Sequence, residues 1–258
     1  MTQKEELLHS VGINQEYVAE IRKIRAPNFF ESFSYIVGPS IFRILAISKW
    51  LLKLLVYIGE IAKFLLWQFE TFGTIKVFLN KKRLYKAILN KLTPSPKLEI
   101  MEFGVAHGYI TKYLVKQIAN LKIPVQRYIG FDSFEGLNQE FRNFPLGAFD
   151  NGGKFPDISE EYLFWCKGYV QETLPNVRFD LETTKLWIFD LDLYDATLFA
   201  LTNVLDFIQI GDICYFDEAF DVGEFKIIND VLLTDFCCDY IGTNGQGLAL
   251  LVKGKRNA

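Results

Sequence analysis

Histidine is almost absent from this 258-residue chain, which carries only His9 and His107. Hydrolases that rely on a histidine base are therefore poorly supported. Cysteine is scarce as well. Cys166, Cys214, Cys237 and Cys238 form neither a Cys-x-x-Cys pair nor metal-finger spacing, and three fall within or beside apolar runs. They read as buried free thiols in a reducing compartment. The N-terminal MTQKEELLHSVGINQEYV lacks the basic-then-apolar order of a signal peptide, so a cytoplasmic setting is expected. Positive charge is not in excess: a formal net charge of -3 offers a polyanion no general attraction, and no nucleic-acid partner is expected. The basic triplet Lys81-Lys82-Arg83 reads as a solvated helix face.

What the chain has instead is 50% hydrophobic residues, 16% aromatics and 23% charge, a composition able to fill a sizeable core. Residues 1–92 read as a helical N-terminal extension. Within it, Ile41 to Phe69 is strongly apolar, and Lys49, Lys53, Glu60 and Lys63 gather on one narrow stripe of the helical wheel. Charges interrupt it too often for a membrane span, which needs about 20 apolar residues in succession. Such a helix must still cover itself. It could pack on the following domain, pair with a second copy in a homo-oligomer, or lie in a membrane interface with Trp50 and Trp67 as anchors. Thr93-Pro94-Ser95-Pro96 then stops the preceding helix.

The second region, 97–254, is organised around Leu98 to Leu137. An apolar run, Leu98 to Phe103, breaks at Gly104-Val105-Ala106-His107-Gly108 into a helical run from Tyr109 to Leu121, and a second apolar run ends on Asp132. This is a β-loop-α-β unit. Its glycines permit a sharp turn and close approach of a ligand, the helix start offers unpaired N–H groups, and Asp132 stands where a nucleoside-binding unit places its ribose-hydroxyl acceptor. The three-glycine loop of a nicotinamide-binding unit is absent, which weakens an oxidoreductase reading. His107 is expected to face solvent or pack within the loop.

Residues 133–161 are rich in Gly, Pro and Asn and read as a cap insertion of loops and a short helix over the strand ends. Alternation then resumes, with strands at Tyr162 to Lys167, Lys185 to Phe189 and Ile213 to Phe216, helices at Ala196 to Phe207 and about Glu224 to Phe236, and closing strands near Tyr240 to Gly242 and Leu248 to Val252. The pattern predicts an α/β fold with a mainly parallel, seven-stranded sheet covered by helices on both faces. Ligands of such sheets bind at the carboxyl ends of the strands.

Two acidic pairs arrive at that edge: Asp190 and Asp192 after one strand, Asp217 and Glu218 after the next. Clustered carboxylates raise one another's pKa and need compensation, for which Mg2+ is a natural candidate. Alternatively, Asp192 or Asp195 caps the helix from Ala196 while the others pair with basic side chains.

The form Glu102-x-Gly104-x-x-x-Gly108 resembles motif I of the Rossmann-like S-adenosylmethionine-dependent methyltransferases. The further runs Gly130-Phe131-Asp132-Ser133-Phe134-Glu135-Gly136-Leu137, Lys167-Gly168-Tyr169-Val170-Gln171-Glu172-Thr173-Leu174-Pro175, Asp190-Leu191-Asp192-Leu193-Tyr194-Asp195-Ala196-Thr197 and Phe216-Asp217-Glu218 resemble, in order, the signatures of the macrocin O-methyltransferase family. The resemblance implies an O-methyltransferase acting on a hydroxyl of a sugar or glycosylated natural product, with S-adenosylmethionine and Mg2+ as cofactors. It assigns Asp190, Asp217 and Glu218 to the metal and Asp192 to the role of general base. It places the methionine portion on Gly104 to Gly108, with Glu102 meeting its amino group or orienting the loop. Asp132 would bind the ribose and Gly168 and Tyr169 the adenine, with Tyr109 and Ser133 completing the cofactor set. The family commonly carries Asp-Asp where this chain has Asp217-Glu218. That departure and the apolar extension keep a second reading open, a weakly active or inactive relative serving as a membrane-attached or scaffolding partner.

Overall fold

In a computed structural model, which describes residues 49–95, 97–142 and 144–256, the apolar runs become the strands of one seven-stranded sheet in the order β3-β2-β1-β4-β5-β7-β6. Residues 41–48 of the apolar stretch, together with His9, lie outside the described residues. The central strand β1, Leu98–Phe103, is buried at every position and pairs in parallel with β2, Val125–Asp132, on one side and β4, Thr184–Phe189, on the other. A strand covered on both faces reads as a continuous apolar run instead of an alternating one. Outward from these lie β3, Leu163–Lys167, and β5, Ile213–Phe216, also parallel. The sheet closes with β6, Phe236–Thr243, and β7, Leu248–Lys255, the latter antiparallel to both of its neighbours. Both closing strands are longer than their apolar cores suggest, because ladder pairing carries them through Cys237, Asp239 and Gly254.

Helices cover both faces, as the alternation requires. On one side, α2, Lys81–Leu92, buries Leu84, Tyr85, Ile88, Leu89 and Leu92, and α3, Tyr109–Leu121, buries Leu114, Val115 and Ile118. Both stripes follow the 3.6-residue period. The α2 stripe, with Leu114 and Ile118, packs on Leu98, Ile100, Leu186 and Ile188. On the other side, α5, Tyr194–Val204, sets Ala200, Leu201 and Val204 against Met101, Trp187 and Phe189. The short helix α4, Val170–Thr173, and α6, Val222–Ile227, which widens into a π-helical turn over Ile228–Leu232, flank that layer. The preceding helix α1, Lys49–Phe72, contributes Phe64 to the same core and leaves Leu66 and Phe69 exposed. Chain contacts gather the described residues from Gly59 onward into one compact unit. No helix among the described residues is long and apolar enough to cross a membrane.

The insertion at 133–161 departs from expectation: no short helix forms among its described residues, only turns and a bridge between Phe141 and Phe144. Phe134, Arg142 and Phe149 take positive φ along with Gly136, Gly147, Gly152 and Gly153, and so many left-handed residues forbid a helical run.

Register decides where the site lies. Phe131, Phe103, Phe189 and Phe216 are partners across β2, β1, β4 and β5, and their rings form a row with centroid separations of 4.8, 5.3 and 4.8 Å. The residue after each Phe emerges at one level: Asp132, Gly104, Asp190 and Asp217. Between β1 and β4 the strand order reverses, the position at which open α/β sheets form a crevice.

The opposite edge carries its own ionic group. Glu99, 1% exposed, accepts from Arg127 Nε at 2.8 Å and from Thr183 Oγ1 at 3.1 Å. Arg127→Ala would leave that carboxylate buried without its cation, and a loss of about 3 kcal/mol is expected. Urea unfolding at neutral pH checks it, read as a lower midpoint at unchanged slope.

Candidate active site

The loop after β1 is held by its neighbours before any ligand is considered. Gly104 has φ +90, and a Cβ there would stand 1.7 Å from the Asp190 carbonyl oxygen, so this glycine lets the exits of β1 and β4 touch. Asp132, at the end of β2, takes the Val105 and Ala106 N–H groups on Oδ2, both at 2.8 Å, and the Phe134 N–H on Oδ1 at 2.6 Å. The residue expected to receive a ribose thus also ties the glycine loop to β2. A carboxylate offers about four acceptor positions, so capacity remains. Gly108 caps α3 at φ +72, where a Cβ would meet the Pro156 side chain at 2.7 Å. The insertion rests on the loop there.

Glu102 is 1% exposed and receives the hydroxyls of Thr111 and Tyr128 on Oε2, each at 2.6 Å. Burial pushes its carboxyl up to about 7 in spite of these bonds. Of the two roles expected of it, the observed contacts are those of orienting the loop, since they join β1 to β2 and to the first turn of α3. Tyr109, Ser133, Gly168 and Tyr169 all line the same cleft. His107 sits on the loop with Nδ1 3.1 Å from Asn151 Oδ1 and its ring edge-on to Tyr109.

The acidic edge is compensated by the chain's own cations. Lys81 Nζ lies 3.0 Å from Asp190 Oδ2 and 2.7 Å from Asp217 Oδ2. Burial alone would lower the Lys81 pKa, but the two acids raise it above the usual lysine value. Asp190, raised by burial and by Asp217, holds its proton more tightly than a solvated carboxyl. Tyr215 donates its hydroxyl to Asp217 Oδ1 at 2.5 Å. Glu218 pairs with Arg142, which also reaches Asp221 at 2.9 Å, and burial moves the Glu218 carboxyl up to about 7. These contacts are the basic pairing that the sequence left open as an alternative to metal. Among the described residues no group of three or more His, Cys, Asp or Glu is placed to hold a metal ion. Asp190, Asp217 and Glu218, as arranged, do not fit Mg2+.

Asp192 stands apart from these pairs. It lines the cleft in a left-handed conformation, φ +60, and its carboxyl is raised to about 6, chiefly by burial and then by the charge of Asp217. Such strain at a non-glycine residue persists where the surroundings enforce it, and it concentrates at functional sites. The expected capping role for Asp192 or Asp195 is not used: α5 has no side-chain cap at its start.

The cleft has a volume of about 750 Å3 and opens over the ends of β1, β2, β4 and β5, with Leu137, Phe144 and Phe149 of the insertion on its far wall. Arg142 clamps that insertion to the β5 exit while packing over the Phe141 and Phe220 rings. Lys81 and Arg142 are the two residues that motif reading missed. The solvated-face reading of Lys81-Lys82-Arg83 is corrected for Lys81: three basic residues open α2 with no acidic residue in its first turn, contrary to the helix dipole, and Lys81 turns into the cleft.

No family model matches the chain, and no curated protein matches it. Solved structures do. The calicheamicin methyltransferase CalS11 superposes with a TM-score of 0.51 at 21% identity, covering 67% of this chain and 80% of that one. The O-methyltransferase NovP follows at a TM-score of 0.45 and 18% identity, covering 67% and 80%. TomG from Streptomyces achromogenes gives 0.42 and 16%, covering 76% and 90%. Strand order, the lone antiparallel β7 and the likeness to CalS11 agree that the chain has the Rossmann-like methyltransferase fold, preceded by an N-terminal helix.

Proposed function

We propose that the chain is an S-adenosylmethionine-dependent O-methyltransferase that modifies a hydroxyl of a sugar or glycosylated natural product. The observation that carries this reading is the shared level of the glycine loop and the acidic edge, which open on one cleft. The residues present fit the cofactor. Backbone at Gly104 to Ala106 offers close approach, Asp132 keeps acceptor capacity for a ribose, and Tyr169 gives a half-exposed ring on the β3 side. An acid-lined cleft also suits the positive sulfonium and ammonium groups. CalS11, whose fold the chain shares, is a TDP-rhamnose 3'-O-methyltransferase in calicheamicin biosynthesis, which supports a sugar hydroxyl as acceptor.

When bound, S-adenosylmethionine supplies an electrophilic methyl group on sulfur. Asp192, whose carboxyl titrates at about 6, is ionised at neutral pH and takes the proton of the acceptor hydroxyl. The oxygen gains its bond to the methyl carbon while the C–S bond breaks and its electron pair stays on sulfur. Phe144 and Phe149 on the far wall limit water and offer apolar surface to an acceptor ring. Isothermal titration with S-adenosylmethionine is expected to show saturable binding, and methyl transfer from labelled cofactor to glycosides follows as the second measurement. No binding at millimolar cofactor would overturn the proposal.

A second reading rests on α1, where Leu66 and Phe69 stay exposed. It gives this helix an interaction role, in a homo-oligomer or at a membrane surface, with the fold as scaffold. Cofactor binding without turnover on any glycoside, joined to vesicle pelleting, would favour it.

A further inference from the structure

We propose that Lys81 is the resident cation of this site, its ammonium holding Asp190 and Asp217 together where a divalent metal would otherwise be needed, so that methyl transfer proceeds without one. The proposal rests on the methyltransferase reading of the cleft.

Three observations carry it. The ammonium bridges the two acids at 3.0 and 2.7 Å, and these are the carboxylates that leave β4 and β5 directly after the phenylalanine row. Both oxygens of Asp217 are already engaged, Oδ1 by the Tyr215 hydroxyl and Oδ2 by the lysine. A divalent ion entering here would have to share these oxygens with an ammonium in contact with them, and like charges at that range repel strongly. The third observation is the seating of the lysine. It opens α2, where the dipole disfavours a cation, and Asn80 caps the helix by accepting the Arg83 N–H at 3.0 Å. Leu84, Tyr85 and Ile88 fix the helix from below, and the Tyr85 ring lies 4.7 Å from that of Tyr215, the residue that donates to Asp217. Helix, tyrosine pair and acid therefore form one continuous support for the ammonium. A sequence that breaks a local preference and then surrounds the exception with compensating contacts marks a functional position.

Chemically, an ammonium has three N–H donors, and the two acids use two. The third is left for the cleft, which Lys81 lines. As Asp192 takes the hydroxyl proton, charge develops on the acceptor oxygen. Lys81 stabilises it until the O–C bond has formed and the sulfur has left as a neutral thioether.

Mn2+ binding, read by electron paramagnetic resonance on the full chain, tests this. Wild type is expected to show no saturable Mn2+ site, and EDTA should leave methyl transfer unchanged. Lys81→Met keeps the length of the side chain and removes its charge, so it should gain a saturable Mn2+ site at the freed acids. It should also lose roughly a hundredfold in kcat with KM for S-adenosylmethionine preserved. Lys81→Arg should bind no Mn2+. Saturable Mn2+ binding by wild type that Asp190→Asn removes, turnover abolished by EDTA, or a folded Lys81→Met that binds no Mn2+ would each overturn the proposal. Should Lys81→Met fail to fold in a thermal melt, the wild-type titration still decides. Absence of S-adenosylmethionine binding would defeat the methyltransferase reading while leaving the Mn2+ result to stand on its own.

Discussion

Asp192→Asn is expected to reduce methyl transfer by about a thousandfold while leaving S-adenosylmethionine affinity within roughly twofold. The loss follows from the one carboxylate of the acidic edge that is raised without being bound to a cation of the chain. In wild type the rate should rise with pH through about 6, the value to which burial and Asp217 bring this group, and then level off. Below that pH each unit should cost about tenfold, because only the ionised form accepts a proton. The variant should lack this limb. Stability should move the other way. A carboxyl raised above its unfolded value binds its proton more tightly when folded, so the native state loses stability as pH climbs from the unfolded value towards about 6 and remains lower above it. Asparagine removes the charge and tolerates φ +60, so the variant should melt a few degrees higher at neutral pH, on the order of 1–2 kcal/mol. A fully active Asn variant would exclude Asp192 as the base.

Gly104→Ala should be the most damaging single methyl addition in the domain. The new Cβ would stand 1.7 Å from the Asp190 carbonyl oxygen, and alanine resists φ +90 in any case. The β1 and β4 exits must part to admit it, carrying Asp190 away from Lys81 and the loop N–H groups away from Asp132. A loss above about 3 kcal/mol or insoluble protein is expected, and surviving folded material should not bind S-adenosylmethionine. Gly254→Ala is the control, since nothing lies within 4 Å of its Cβ position. Urea unfolding and titration calorimetry on both variants check the pair; equal stability of the two would show that the exits are not in contact.

Much of this site was legible because each strand announces its own end. An apolar run followed by Gly104, Asp132, Asp190 or Asp217 fixes the residue and the edge together, and parallel pairing brings the four to one level. The compensation was harder to read. Lys81 is 109 positions from Asp190 in the chain, and no local pattern joins them. A signal did exist: Lys81 precedes Leu84, Tyr85 and Ile88 at helical spacing, so it begins the buried stripe of α2, unlike its neighbours Lys82 and Arg83. Arg142 offered none. It lies in an insertion without periodicity, at φ +53, and its reach to Glu218 depends on how that loop folds back. Asp132 shows a further limit, because motif spacing marks a carboxylate for a ligand and cannot reveal that backbone N–H groups also use it. Cys237 is exposed, against the expected buried thiols, because β6 is the outermost strand and turns that position to solvent.

The phenylalanine row has a consequence for proton traffic. On one face of the sheet, Phe131, Phe103, Phe189 and Phe216 lie between the cleft acids and the Glu99–Arg127 ion pair at the far edge. Stacked rings offer neither donor nor acceptor along the strands, so the row itself passes no proton from one edge to the other. Any relay from the cleft acids into the sheet therefore runs on the other face, where Tyr215 donates to Asp217 and where Thr111 and Tyr128 donate to Glu102.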